Sequence, residues 1–201
     1  MQDGLVSVIT PAYNCAKYIG KTIESVQAQT YGNWEMVIVD DCSTDNTREV
    51  VESYSKNDFR VRYICLDKNS GAAVARTESM KAAEGEYMAF LDSDDMWKPE
   101  KLAKQLAFMR EEGHPFSCTA YEQVDEQGNP LGKVIKTIRR TSYNRLLLDC
   151  PVGNSTVMYS VRAMGKFEVP NIRKRNDDAL WLQMLKKEPY IWGMPEILAE
   201  Y

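Results

Sequence analysis

Three carboxylates fall within four positions, at Asp92, Asp94 and Asp95, directly after the apolar run Tyr87-Met88-Ala89-Phe90-Leu91. Like charges about 4 Å apart repel by roughly 4 kcal/mol at an effective dielectric of about 20, so a fold that gathers them at a strand end calls for a cation there. Hard oxygen ligands suit Mg²⁺ or Mn²⁺, and either ion commonly brings a phosphate group with it. The same carboxylates could instead form a solvated turn that caps the helix after Pro99, because acidic groups favour helix N-termini. Taken alone, the cluster leaves both readings open.

The surrounding pattern gives it a frame. Leu5–Ile9 is an apolar, β-branched run stopped by Pro11, and Ile19, Ile23 and Val26 follow at helical spacing. Trp34–Val39 is a second strand pattern; Ser43, Thr44 and Asp45 then offer N-caps for a helix through Val50, Val51 and Tyr54. Val61–Leu66 is a third strand, followed by an alanine-rich helix through Ala72, Ala75, Met80 and Ala83. Tyr87–Leu91 is the fourth, and Pro99 suits the first turn of a helix carrying Leu102, Leu106 and Met109. Alternation at this period predicts βαβ units, an α/β fold and a mostly parallel sheet.

Such sheets bind ligands beyond the carboxyl ends of their strands. Pro11-Ala12-Tyr13-Asn14, Asp40-Asp41, Asn69-Ser70-Gly71 and Asp92 to Asp95 all follow strand ends, so four polar groups should meet at one edge. The second half is less regular. Strands are expected over Phe116–Tyr121 and Ser155–Tyr159, with a turn at Glu126–Pro130 between antiparallel strands. A short helix is expected from Asp178 through Lys187, with Leu180, Trp181, Met184 and Leu185 inward. With no repeat, low-complexity segment or linker, residues 1–201 read as a single domain. The apolar ending Ile197–Tyr201 suggests a truncated C-terminus.

Composition narrows the classes. The 201 residues carry a net charge of −4 and no basic stripe beyond Ile172-Arg173-Lys174-Arg175, which argues against nucleic-acid binding. Five scattered cysteines without a C-x-x-C pair fit reduced thiols. No apolar run approaches the roughly 18 residues of a membrane span, and no signal peptide is visible. The expected location is the cytoplasm, with peripheral contact at the inner membrane face left open. His114, the only histidine, sits between Gly113 and Pro115 and is expected at a surface turn; a zinc site or serine-type triad is thereby excluded.

Taken in order, Val8–Asn14, Val39–Asp45, Asn69-Ser70-Gly71 with Arg76, Leu91–Asp95 and Asn176–Leu182 resemble the motifs of the family 2 glycosyltransferases. The resemblance runs from about Val6 to the C-terminus. It implies the GT-A fold, with a nucleotide-sugar half over about 1–97, an acceptor-side half over about 98–201 and a small antiparallel part in the latter. It also implies an inverting transfer from a nucleotide-diphosphate sugar, a UDP-sugar before others, to a hydroxyl of a glycan or lipid-linked acceptor in bacterial surface polysaccharide synthesis.

The resemblance assigns Asp94 to the divalent ion, Mn²⁺ or Mg²⁺, and Asp92 to the ribose or to the same ion. Asp41 would accept from a uracil N–H, with Pro11 and Tyr13 flanking the base and Asn14 also binding the nucleotide sugar. Asn69, Gly71 and Arg76 would lie along the nucleotide, and Asp177 would be the general base. The first member of that acidic pair is often glutamate in the family; here it is Asn176, with Asp178 as an adjacent competitor. Each assignment has a plainer alternative: a turn opened by Asp40-Asp41, a surface arginine at Arg76, a helix cap at Asp177-Asp178. Gly153-Asn154-Ser155 is a candidate acceptor-side lining. The rival functions are a non-catalytic nucleotide-sugar-binding module and a nucleotidyltransferase, although no Walker or dinucleotide glycine fingerprint is present.

Overall fold

A computed structural model describes residues 1–201. The first half alternates β1 (Gln2–Ala12), α1 (Ile19–Gln27), β2 (Trp34–Asp40), α2 (Thr47–Ser55), β3 (Val61–Cys65), α3 (Ala72–Ala82) and β4 (Gly85–Phe90). These strands are parallel in the order β3-β2-β1-β4. The second half adds β5 (Met96–Trp97), α4 (Lys101–Glu111), β6 (Phe116–Val124), β7 (Pro130–Ile135) and β8 (Arg140–Thr141). It continues with α5 (Tyr143–Leu148), β9 (Met158–Ser160), α6 (Val161–Met164), α7 (Asn176–Met184) and β10 (Ile191–Glu200). One sheet joins the halves, because β9 pairs antiparallel with both β4 and β6 while β10 runs parallel to β6. β5, β7 and β8 are antiparallel additions.

Period-two alternation explains the layers. Ile9, Val37, Val39, Met88 and Phe90 face one side, where α3 and α7 supply Ala75, Met80, Leu180 and Trp181. Val8, Met36, Ile38, Ala89 and Leu91 face the other, against Ile19, Ile23 and Val26 of α1 and Leu102 and Leu106 of α4. Trp181 is fully buried, as its spacing predicted.

Several local expectations change. Ser43, Thr44 and Asp45 do not occupy the N-cap of α2: Asn46 does, without a side-chain bond, while Asp45 Oδ1 accepts from the Thr47 N–H and hydroxyl at 3.0 and 2.6 Å. Pro99 lies outside α4, whose N-cap is Glu100. Ser155 and Thr156 belong to a 3₁₀ turn, Asn154–Thr156, and the strand begins only at Met158. The last helix starts at Asn176, two residues early. His114 stands in the turn between α4 and β6, as expected, but its ring is largely covered: it stacks on Trp192 at 3.8 Å and lies edge-on to Phe108 at 5.2 Å.

The chain leaves β1 outward to β2 and β3, then returns to place β4 on the other side of β1. Connections therefore diverge between β1 and β4 and leave a crevice at their carboxyl ends.

Candidate active site

A cleft of about 460 Å³ occupies that crevice, lined by Pro11, Ala12, Tyr13, Asp41, Asn69, Gly71, Ala72, Arg76, Asp92, Ser93 and Asp94. Eight of the nine residues expected from the sequence to hold nucleotide, sugar or metal thus share one wall. Asn14 stands behind it. Its Oδ1 accepts from the Thr44 N–H at 2.8 Å and its own N–H donates to Ser43 Oγ at 2.9 Å, clasping the loops after β1 and β2.

Asp41 is 2% exposed, and its two oxygens accept from the N–H groups of Ser70 and Gly71 at 2.6 and 2.7 Å. It fastens the β3–α3 loop and keeps further lone pairs for the cleft. Gly71 stands at φ +92 with open space around its missing side chain, so backbone conformation rather than crowding calls for glycine. Asp40 is turned away: its carboxylate accepts from Ser43 and from the Tyr63 hydroxyl.

Arg76 is not a surface arginine. It is 5% exposed, donates to Asp92 Oδ1 at 2.8 Å and also donates to Asn176 Oδ1. Asp92 Oδ1 takes a second bond from Asn154 Nδ2 at 2.8 Å, and the Asp92 N–H donates to Ser155 Oγ at 2.9 Å. Asp95 does not cap α4. It is buried, accepts from Ser155 Oγ at 2.5 Å, and is pushed up to about 8 by burial and then by the neighbouring Asp92.

Asp94 differs from both. No protein side chain donates to it, and burial followed by repulsion from Asp92 raises its pKa. No group of three His, Cys, Asp or Glu side chains gathers here. One unsatisfied carboxylate beside a second, in a cleft roomy enough for a phosphate ester, nonetheless fits Mg²⁺-type binding, in which one or two carboxylates share the ion with substrate phosphates and water.

Asp177 sits in the first turn of α7, next to the Asn176 that Arg76 holds. Burial raises its pKa first and Asp178 adds to the rise, while the Arg76 charge opposes both. Asn176 lines a neighbouring cleft with Arg173 that meets the first one along Asn69, Gly71 and Ala72. Three non-glycine residues have positive φ, namely Asn14 (+47), Cys42 (+62) and Arg175 (+56). Each stands next to a site loop, and such backbones cost about 1–3 kcal/mol apiece unless the fold over-determines them.

The supporting residues were the hardest to foresee. Asn154 and Ser155 hold the acidic cluster from a turn more than sixty residues away in sequence, and Tyr201 Oη accepts the Ser155 N–H at 2.7 Å. Gly153 is required there, because a Cβ would stand 2.6 Å from the Tyr201 hydroxyl. The polar run Gly153–Ser155 before an apolar strand was the only signal, and it pointed to an acceptor lining rather than to a cradle for carboxylates.

Known proteins resemble the chain in sequence and in fold. The chain is 49% identical over 197 residues to TuaG of Bacillus subtilis (strain 168), a glycosyltransferase named for teichuronic acid biosynthesis, covering 98% of this chain and 78% of that protein. It is 39% identical over 186 residues to the Escherichia coli UDP-Glc:alpha-D-GlcNAc-diphosphoundecaprenol beta-1,3-glucosyltransferase WfgD, covering 92% and 72%. Among solved structures, S. aureus TarS 1-349 in complex with UDP superposes with a TM-score of 0.82 at 26% identity, over 98% of this chain and 60% of that one. The architecture is that of the GT-A glycosyltransferases. The model of the family "Glycosyl transferase family 2" matches residues 7–170, and on that match, the shared fold and these relatives the chain belongs to glycosyl transferase family 2.

Proposed function

We propose that the chain transfers a sugar from a UDP-sugar to an acceptor hydroxyl in a single inverting displacement, within the synthesis of a bacterial surface polysaccharide. The observation that carries the reading is Asp94, a carboxylate to which no side chain donates, in the same cleft as Asp41. The uridine would lie along Pro11, Tyr13, Asp41, Asn69 and Gly71, with the diphosphate toward Asp92 and Asp94. Asp94, with Asp92, would hold Mn²⁺ or Mg²⁺, which when bound supplies positive charge opposite the departing diphosphate. Asp177 removes the proton of the acceptor hydroxyl as that oxygen attacks the anomeric carbon. Its raised pKa suits the task, since a stronger base at a buried position takes a hydroxyl proton more readily. WfgD, named for a diphosphoundecaprenol-linked acceptor, and TuaG, named for teichuronic acid, support a lipid-linked or polymeric glycan as acceptor.

Thermal shift with UDP and UDP-sugars, each with and without Mn²⁺, tests the donor half. Ligand at about 100 times its Kd adds roughly 2.7 kcal/mol of stability. Asp94→Asn should remove the metal-dependent part of the shift. Asp177→Asn should keep the UDP shift while transfer falls by about 10²–10⁴. A chain that ignores every nucleotide loses the donor site, and one that keeps transfer without Asp177 loses its base.

A further inference from the structure

Of nine large apolar side chains left exposed by the fold, six lie between Leu131 and Ile172. Three of these stand beside the start of α7. Leu147 and Leu148, 58% and 82% exposed, end α5, and Ile172, 45% exposed, lies just ahead of α7. α5 packs on α7. The thiol of Cys150, just past α5, is held against Asp178, and Asp178 lies 3.8 Å from Arg175. The end of α5 and the segment before α7 are therefore neighbours on one surface.

Charge gathers at the same place. Arg173, Lys174 and Arg175 are consecutive and exposed, whereas Arg145 on α5 is already paired with Asp149 at 3.2 Å. No acid interrupts the exposed stretch 171–175, in a chain whose net charge is −4. The left-handed backbone at Arg175 marks the change from this exposed basic run to the half-buried Asp177-Asp178 pair. A water-soluble glycan gives exposed leucines nothing to bury against. An anionic bilayer answers both features, accepting apolar side chains at its boundary and attracting lysine and arginine at its surface.

We propose that Leu147, Leu148 and Ile172, with Arg173, Lys174 and Arg175, form a docking surface for an anionic lipid bilayer. The docked chain holds the mouth beside Asp177 at the membrane plane. The inference deepens the acceptor-side reading above and rests on it for its purpose, while its surface stands on separate residues.

The test mixes the whole chain with vesicles of phosphatidylcholine alone or with added phosphatidylglycerol and measures the bound fraction by sedimentation. Binding should need the anionic lipid and weaken with salt. R173Q/K174Q should weaken it by about fivefold per cation removed. L147Q/L148Q should weaken it by about tenfold or more. F59Q, which removes an apolar side chain 90% exposed in the loop before β3, should leave it unchanged. Equal binding to neutral vesicles, no binding, or equal loss in F59Q overturns the proposal. So does a dimer that L147Q/L148Q dissociates in place of vesicle binding. A UDP shift measured on the same samples separates the two readings. Vesicle failure with the shift intact removes only the docking surface, whereas a wild-type chain without the shift removes the donor site.

Discussion

Arg76 divides its terminal nitrogens between Asp92 on the donor side and Asn176 beside the base. Its charge also lowers the pKa that burial and Asp178 raise at Asp177. The consequence for catalysis has a definite sign. Asp177 must be ionised to act, so activity falls as pH drops through its pKa in the enzyme–substrate complex. Arg76→Gln removes the opposing positive charge, so the acid limb of the kcat–pH profile should move to higher pH. Arg76→Lys keeps the charge but not the two-pronged geometry, and its limb should stay closer to wild type. A limb that does not move in Arg76→Gln would separate the arginine from the base, leaving it a role at Asp92 alone.

At the scale of elements, the short 3₁₀ turn Asn154–Thr156 holds the acidic loop after β4. Ser155 Oγ donates to Asp95 and accepts from the Asp92 N–H, so Ser155→Ala leaves a buried carboxyl without its donor and an amide without its acceptor. Leaving such a group unsatisfied costs about 1–3 kcal/mol, and in a chain of this size that should lower Tm by several degrees. UDP affinity should fall as well, because Asp92 loses an anchor; a variant with unchanged Tm and affinity would mean that the turn only lies alongside. This turn also shows where sequence legibility ends. The strand–helix alternation through β4 and the polar residues after each strand were readable because they follow from local periodicity and from the parallel-sheet rule. Asn154, Ser155 and Tyr201 reach the site through pairing of β9 with β4 and of β10 with β6, which no local pattern encodes. Likewise β10 begins at Ile191, well before the apolar ending Ile197–Tyr201 that was visible, because Ile191 and Trp192 pair with β8 and Trp192 and Gly193 with β6.

For the whole molecule, the carboxyl edge of the sheet concentrates acids whose protonated forms the fold favours. Asp94, Asp95 and Asp177 all have raised pKa values, with Asp95 pushed up to about 8. In the unfolded chain each would titrate near about 3.9. Between these limits the folded state holds protons that the unfolded state has released, so stability falls as pH rises, by up to about 1.4 kcal/mol per pH unit for each proton. The lowered acids act outside this window: Asp58, held at about 2 by Arg60, contributes stability that is lost only as pH falls below the ordinary carboxylate range. Buried Lys101, whose pKa burial lowers, works in the opposite direction, so the acids' share is read as a difference: from pH 5 to pH 8 the metal-free chain in chelator should lose more Tm, or gain less, than its Asp95→Asn variant. The difference arises because Asp95→Asn removes the acid that burial pushes up to about 8 and leaves an amide in the same space. UDP with Mn²⁺ should reduce the slope in the wild-type chain, because a bound cation stabilises the ionised cluster that the empty fold resists. Scanning calorimetry across the pH range decides the matter. An Asp95→Asn variant that follows the wild-type slope would mean that another set of groups governs the stability of this edge.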